Sequence, residues 1–144
     1  MLIKCPRCNK TNRLAVENFS KNPNCGACHK PLFSLPIEIS QNNFNEMVNQ
    51  REKPVLVDFW APWCNPCKSF ASTFTLGAEK NSSDVIYGKV NTEVELLIAS
   101  KHYIKSIPTL IGFFGGKELI RLSGALSISQ LQDLTNKLIH DSAQ

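Results

Sequence analysis

Every cysteine of this chain falls in a Cys-x-x-Cys pair: Cys5/Cys8, Cys25/Cys28 and Cys64/Cys67. Two thiols at that spacing can ligate a soft metal ion as thiolates, or close and open as a redox disulfide. The start, Met1-Leu2-Ile3-Lys4-Cys5, is interrupted by charge at once and lacks the apolar core of a secretory leader. A cytoplasmic location is the expectation, and there the pattern argues for metal binding or redox catalysis over a disulfide framework.

Cys5-x-x-Cys8, sixteen residues and Cys25-x-x-Cys28 fit the spacing of a four-cysteine zinc ribbon. Each pair can give two thiolates to one tetrahedral Zn²⁺. Pro6 and Gly26 suit the turns, and Asn9 tolerates a left-handed backbone. Within residues 1–35 only Leu14, Val16, Phe19, Leu32, Phe33 and Leu35 could line a core. So little apolar surface needs a staple, which the metal would supply. The alternative is two redox-labile disulfides without metal. His29 could replace one sulfur, but four sulfurs suffice and an exposed His29 is expected.

Cys64 and Cys67 stand in Trp60-Ala-Pro-Trp-Cys-Asn-Pro-Cys-Lys68, where an apolar strand ends and a helix should begin. Unpaired N–H groups and the dipole at a helix N-terminus favour a thiolate at Cys64. Cys64 could then attack a disulfide, and Cys67, three residues on, could resolve the mixed disulfide. Pro66 suits the first turn, where its missing N–H costs nothing. Asp58 is a carboxylate inside an otherwise apolar strand, so burial should raise its pKa.

The elements that must position these groups follow from periodicity. Ile37–Ile39 reads as a short strand and Asn42–Gln50 as a helix. Pro54–Trp60 reads as a central strand buried on both faces, followed by a helix from about Cys64 to Lys80. Val85–Val90 is the next strand and Glu93–His102 the next helix. Thr109–Phe114 and Glu118–Leu122 form a hairpin across Gly115-Gly116-Lys117, and a last helix covers about Ser127–Ile139. This is an α/β order: a mixed sheet covered by helices on both faces.

The remaining composition limits the partners. The chain has 144 residues, 42% hydrophobic and 19% charged, with no apolar run long enough to span a membrane. Of the net charge of +4, residues 1–36 hold six basic side chains and one acid. Those charges are scattered, with no aromatic platform beyond Phe19 and Phe33, so nucleic acid is not the expected partner. His102 and His140 are expected at the surface.

Val57-Asp58-Phe59-Trp60-Ala61-Pro62-Trp63-Cys64, then Pro66-Cys67-Lys68, resembles the active site of the thioredoxin family. The likeness continues through Lys89-Val90-Asn91, Ser106-Ile107-Pro108-Thr109, Gly115-Gly116 and Gly124-Ala125-Leu126, over about residues 37–144. With the four leading cysteines, the chain further resembles the zinc-binding bacterial branch of that family. The resemblance implies two parts, residues 1–35 as a zinc module and 36–144 as a thioredoxin-fold domain. It also implies a monomeric protein-disulfide reductase with a place in oxidative stress. Such a reductase acts on disulfide-containing proteins and is recharged by an NADPH-dependent thioredoxin reductase, with no organic cofactor of its own. By the same resemblance, Asp58 helps deprotonate Cys67, Lys89 is its charge partner across the sheet, and Pro108 is a cis-proline facing the disulfide. Ile107 pairs with the substrate chain, Trp60 and Trp63 flank the site, and Gly124 admits substrate backbone. Asn65 stands where the family usually has Gly, so Asn65 and Pro66 should tune the redox potential. Two other readings stay open: a disulfide oxidase or isomerase, and a zinc-ribbon module for protein or nucleic acid that carries a thioredoxin domain.

Overall fold

Val-Leu-Val-Asp-Phe-Trp has one polar interruption in six residues, and such a strand is stable only with a layer against each face. The computed structural model, which describes residues 1–144, supplies both layers. This segment is β4 (Val55–Trp60), pairing in parallel with β5 (Ile86–Asn91) and antiparallel with β6 (Thr109–Phe114). Outside them lie the two-residue strand β3 (Ile37–Glu38) and β7 (Lys117–Ser123), giving the order β3-β5-β4-β6-β7. Gly115 and Gly116, with φ of 58° and 82°, make the β6–β7 turn that residues with a Cβ would resist.

Alternation along β4 divides the core. Leu56 packs with Tyr87, Leu110 and Ile120 under α2 (Asn65–Asn81) and α4 (Ile128–Ser142), which contribute Phe70, Phe74, Ala78, Leu131 and Leu138. Gly77 is the point of closest approach there, since a Cβ would lie 2.8 Å from Leu131 and 3.1 Å from Tyr87. Val55, Val57 and Phe59 face the other layer, α1 (Phe44–Asn49) and α3 (Leu96–Lys101). Trimming a fully buried ring such as Phe74 to Ala would cost about 3–5 kcal/mol.

The N-terminal residues add a second, two-stranded sheet. β1 (Leu2–Lys4) pairs antiparallel with β2 (Thr11–Arg13), and a 3₁₀ turn covers Val16–Lys21. Ile3, Leu14, Phe19, Leu32 and Phe33 are buried in one cluster with Ile37, Ile39 and the α1/α3 side of the sheet. The Asn43 amide donates to the Leu2 carbonyl at 3.0 Å, and the Met1 ammonium to the Leu14 carbonyl at 2.8 Å.

Three local features differ from the sequence expectations. Ile3 joins the N-terminal core, while Val16 and Leu35 are only half-buried. The helix expected over Glu93–His102 begins at Leu96, because the Val94 and Glu95 N–H groups turn back to bond the Asn91 carbonyl. His102 is not a surface residue: it is half-buried, its ring packed 5.1 Å from Phe44 and 5.4 Å from Phe113. That burial lowers the imidazole pKa against the pull of Glu118.

Candidate active site and metal centre

The chain leaves β4 at Trp60, turns through Ala61-Pro62-Trp63 and enters α2 at Asn65. Cys64 is the residue capping α2, and its sulfur accepts the Cys67 backbone N–H at 3.2 Å. Asn65 and Pro66 are the first two helical residues and are exposed. Cys64 and Cys67 are joined as a disulfide with Cα atoms 5.2 Å apart. Both sulfur-bearing residues are buried, packed with Ala61, Trp60 and Ile107. A sulfur that caps a helix receives an N–H and the positive end of the dipole, so a thiolate formed there is stabilised.

The substrate-facing residues expected from the sequence gather around this pair. The Ile107 carbonyl oxygen lies 3.7 Å from Cys64 Sγ, and the Ile107–Pro108 peptide is cis. The Gly124 N–H donates to the Pro108 carbonyl at 2.8 Å, which ties the β7 end to the cis-proline. Gly124 has φ of 108° and open space where a side chain would project. Trp63 is 65% exposed, and its indole N–H donates to the Glu93 carboxylate. Glu93 was not singled out by sequence reasoning. Asn91 Oδ1 accepts the Glu93 N–H at 3.0 Å and so fixes the turn that presents it.

Behind the disulfide, Asp58 is completely buried, and neither of its oxygens has a hydrogen-bond partner. Alternation puts it on the α2 side of the sheet, with Leu56. Burial drives its pKa up to about 7, and the positive charge of Lys89 works in the opposite sense. Lys89 is the register partner of Asp58 in β5. Its ammonium lies 4.6 Å from the centre of the Trp60 ring and makes no ion pair, so it acts on Asp58 through space while held by a cation–π contact. That role for Trp60 was not visible in the sequence.

The four N-terminal cysteines also come together. Cys5 and Cys25 each open a tight knuckle with the same bonds: Cys5 N–H to the Lys10 carbonyl and Asn9 N–H to the Cys5 carbonyl, then Cys25 to Lys30 and His29 to Cys25. Asn9 and His29 take the left-handed conformation at matching positions, φ of 66° and 64°. His29 is therefore part of the turn, exposed and not a ligand candidate.

The four sulfurs of Cys5, Cys8, Cys25 and Cys28 lie within 4.8 Å of one another. Two separations are shorter, 3.7 Å for Cys5–Cys28 and 3.6 Å for Cys8–Cys25. A tetrahedral ion with metal–sulfur bonds of about 2.3 Å needs edges of about 3.8 Å, so the set fits a single ion such as Zn²⁺. Backbone N–H groups of Arg7 and Ala27 donate to Cys5 and Cys25 at 3.4 and 3.3 Å, and the Asn12 amide donates to Cys25. The N–H groups of Cys28 and Ala27 and the Asn12 amide lower the Cys25 thiol to about 6. Four close cysteines can thus hold a metal ion.

Three comparisons bear on this arrangement. The family model described as Thioredoxin matches residues 36–137. Thioredoxin C-3 of Corynebacterium nephridii is 39% identical over 133 residues, 92% of this chain and 91% of that protein. An alignment of that length extends well into residues 1–35. Thioredoxin of Porphyra purpurea is 37% identical over 102 residues, covering 71% of this chain and 95% of the relative. Among solved structures, the thioredoxin of Malassezia sympodialis superposes with a TM-score of 0.65 at 29% identity, over 71% of this chain and 89% of that one.

Proposed function

The chain belongs to the thioredoxin family and is a thiol–disulfide oxidoreductase, and we propose that it works as a protein-disulfide reductase. The observation that carries this reading is the closed Cys64–Cys67 pair at the cap of α2, with the Cys67 N–H on the Cys64 sulfur. In the reduced protein the Cys64 thiolate attacks one sulfur of a substrate disulfide and expels the other as a thiolate. The Cys67 thiolate then attacks Cys64 Sγ, closes the Cys64–Cys67 bond and releases the second substrate sulfur reduced.

Cys67 must lose a proton for that second step. Asp58, poised near neutral pH and without other partners, is the group that takes it, with Lys89 biasing it toward the ionised form. The Ile107 backbone and Gly124 line the substrate chain, Pro108 keeps that edge against the disulfide, and Trp63 covers its exposed side. Asn65 and Pro66, between the two sulfurs, set the potential. An NADPH-dependent thioredoxin reductase returns the disulfide to the dithiol.

In the same proposal residues 1–35 form a structural module in which Cys5, Cys8, Cys25 and Cys28 hold one Zn²⁺, and residues 36–144 form the catalytic domain. The bound ion would tie the two knuckles together, which so small an apolar core needs. This corresponds to the zinc-binding bacterial form of the family, at work in the cytoplasm as a monomer and under oxidative stress. A reductase-coupled assay following NADPH, with metal analysis of the same sample, tests it. The expected result is turnover of protein disulfides, lost in Cys64→Ser, with one zinc per chain. Zinc-loaded protein without NADPH-dependent turnover refutes the reductase reading, and active protein without metal refutes the zinc assignment.

A further inference from the structure

A cleft of about 400 Å³ opens between α1 and α3, and none of the residues placed in the exchange chemistry lines it. Its base is apolar, with Phe44 and Ile98 buried there and Leu97 standing exposed above them. His102 adds a second ring, 5.1 Å from that of Phe44. Two neighbouring rings suit a third one set edge-on or offset against them. The volume lies at the lower end of the range for small-molecule sites, about 300–1,000 Å³, and suits one ring with a short chain.

The polar lining has a sign. No acidic side chain lines the cleft, whereas Lys101 does, and its ammonium takes part in no ion pair. Two carboxylates close by are already engaged. Glu95 Oε1 accepts the Gln41 backbone N–H at 2.8 Å, and the Arg121 guanidinium holds Glu118 at 2.7 and 2.8 Å. Burial keeps the His102 imidazole neutral at physiological pH, so its ring offers one N–H donor and one acceptor to the cleft. The side-chain amides of Gln41 and Asn45 also line the cleft and have no partner within the chain.

We propose that the α1/α3 cleft binds a small aromatic carboxylate, with its ring against Phe44, Leu97 and Ile98 and its carboxylate on Lys101. The apolar base takes the ring, and the single free cation matches a single negative charge. A polyanion would find only one ammonium, and a cation would meet Lys101 with no carboxylate to offset it. The site goes beyond the reductase reading and does not depend on it, because the cleft lies on the α1/α3 side of the sheet and Asp58 on the α2 side.

The test is a titration of the ¹⁵N-labelled full chain with its metal, followed by amide NMR, with three probes. These are 3-phenylpropionate, 3-phenylpropanol (the same body without the charge) and propionate (the charge without the ring). The acid should shift the amides of residues 44–45 and 97–102 saturably, with Kd of about 1 mM or below. The alcohol should bind the same residues about fivefold more weakly, the worth of one exposed ion pair, and propionate should not saturate. Lys101→Gln should lower affinity for the acid to that for the alcohol and leave the alcohol unchanged. Leu97→Asp should abolish binding of the acid while the alcohol is still bound. Both changes are at exposed positions, and unshifted amides in β4 and α2 show that each variant is folded. Absence of a saturable shift with the acid overturns the proposal. So does equal wild-type affinity for acid and alcohol, or a discrimination that survives Lys101→Gln. Shifts confined to Trp63, Cys64 and the cis-proline segment would place the ligand at the redox site and overturn it as well.

Discussion

The buried, unpartnered carboxyl of Asp58 makes the stability of the oxidised protein depend on pH in a direction opposite to the usual paired carboxylate. In the folded chain Asp58 holds its proton up to about pH 7, whereas in the unfolded chain it releases it near the ordinary carboxyl value of 3.8. Between those values folding takes up a proton, so the contribution to stability is fully present at low pH and is lost as pH rises through 7. Above that the group is ionised in both states and the dependence flattens. One pH unit inside this window is worth about 1.36 kcal/mol, so the group removes about 2.5 kcal/mol between pH 5 and pH 8.

Asp58→Asn abolishes the titration at nearly constant shape. The new amide is also buried without a partner, which adds an offset of about 1–3 kcal/mol that does not vary with pH. Urea unfolding of both oxidised proteins at half-unit steps from pH 5 to pH 8 isolates the effect. His102 and every other titrating group are common to both and cancel in the difference, and the disulfide keeps Cys64 and Cys67 silent. The variant should gain about 2.5 kcal/mol on the wild type across the range, with unchanged denaturant slopes. Parallel curves would show that Asp58 is ionised throughout and would remove it as the proton acceptor for Cys67.

Further expectations concern the two cysteine sites. Glu93→Ala frees the Trp63 indole, and protein-disulfide reduction should fall about two- to fivefold through KM, with Trp fluorescence reporting a more mobile ring. Unaltered KM and fluorescence would leave the Glu93 contact without consequence. Asn65→Gly should move the Cys64/Cys67 potential by about 30 mV, equivalent to about 1.4 kcal/mol, read by equilibration with a glutathione buffer; identical potentials would remove Asn65 as a tuning residue. Treatment of reduced protein with a strong chelator should expose four additional thiols and abolish hydrogen-exchange protection in β1 and β2 while α2 and α4 stay protected. Protection that persists without metal would mean the N-terminal core stands on its apolar contacts alone.

How far the sequence could carry this reading depended on whether a residue's role is fixed locally or by what packs against it. Strand β4, the helix starting after Cys64 and the Gly115-Gly116 turn were legible because periodicity and turn chemistry are local. The four-sulfur cluster was legible because ligand spacing reflects the tight knuckle that each pair makes. Harder to read were residues whose partners are far along the chain. Ile3 ends the short apolar start Met1-Leu2-Ile3 ahead of a polar segment, and only the pairing of β1 brings it into one core with Phe19 and Phe33. His102 reads as a helix-end surface residue until α1 and β6 bring aromatic rings to it. Glu93 sits inside what periodicity makes a helix, and only the turn back to Asn91 turns it toward Trp63.

Lys89 shows how such distant placement bears on the chemistry. Strand register alone puts it beside Asp58, and from register one expects an ion pair that would keep the carboxyl ionised at neutral pH. The Trp60 ring instead draws the ammonium to a cation–π contact, and the two oxygens of Asp58 stay without any partner. A direct ion pair would pull the carboxyl down by one to three pH units and leave it poorly basic toward a thiol. Held as it is, the lysine tempers the effect of burial without cancelling it, and the carboxyl titrates near neutral pH, as the proposed proton acceptor for Cys67 would need. Three side chains on two adjacent strands therefore set the acid–base poise of the site.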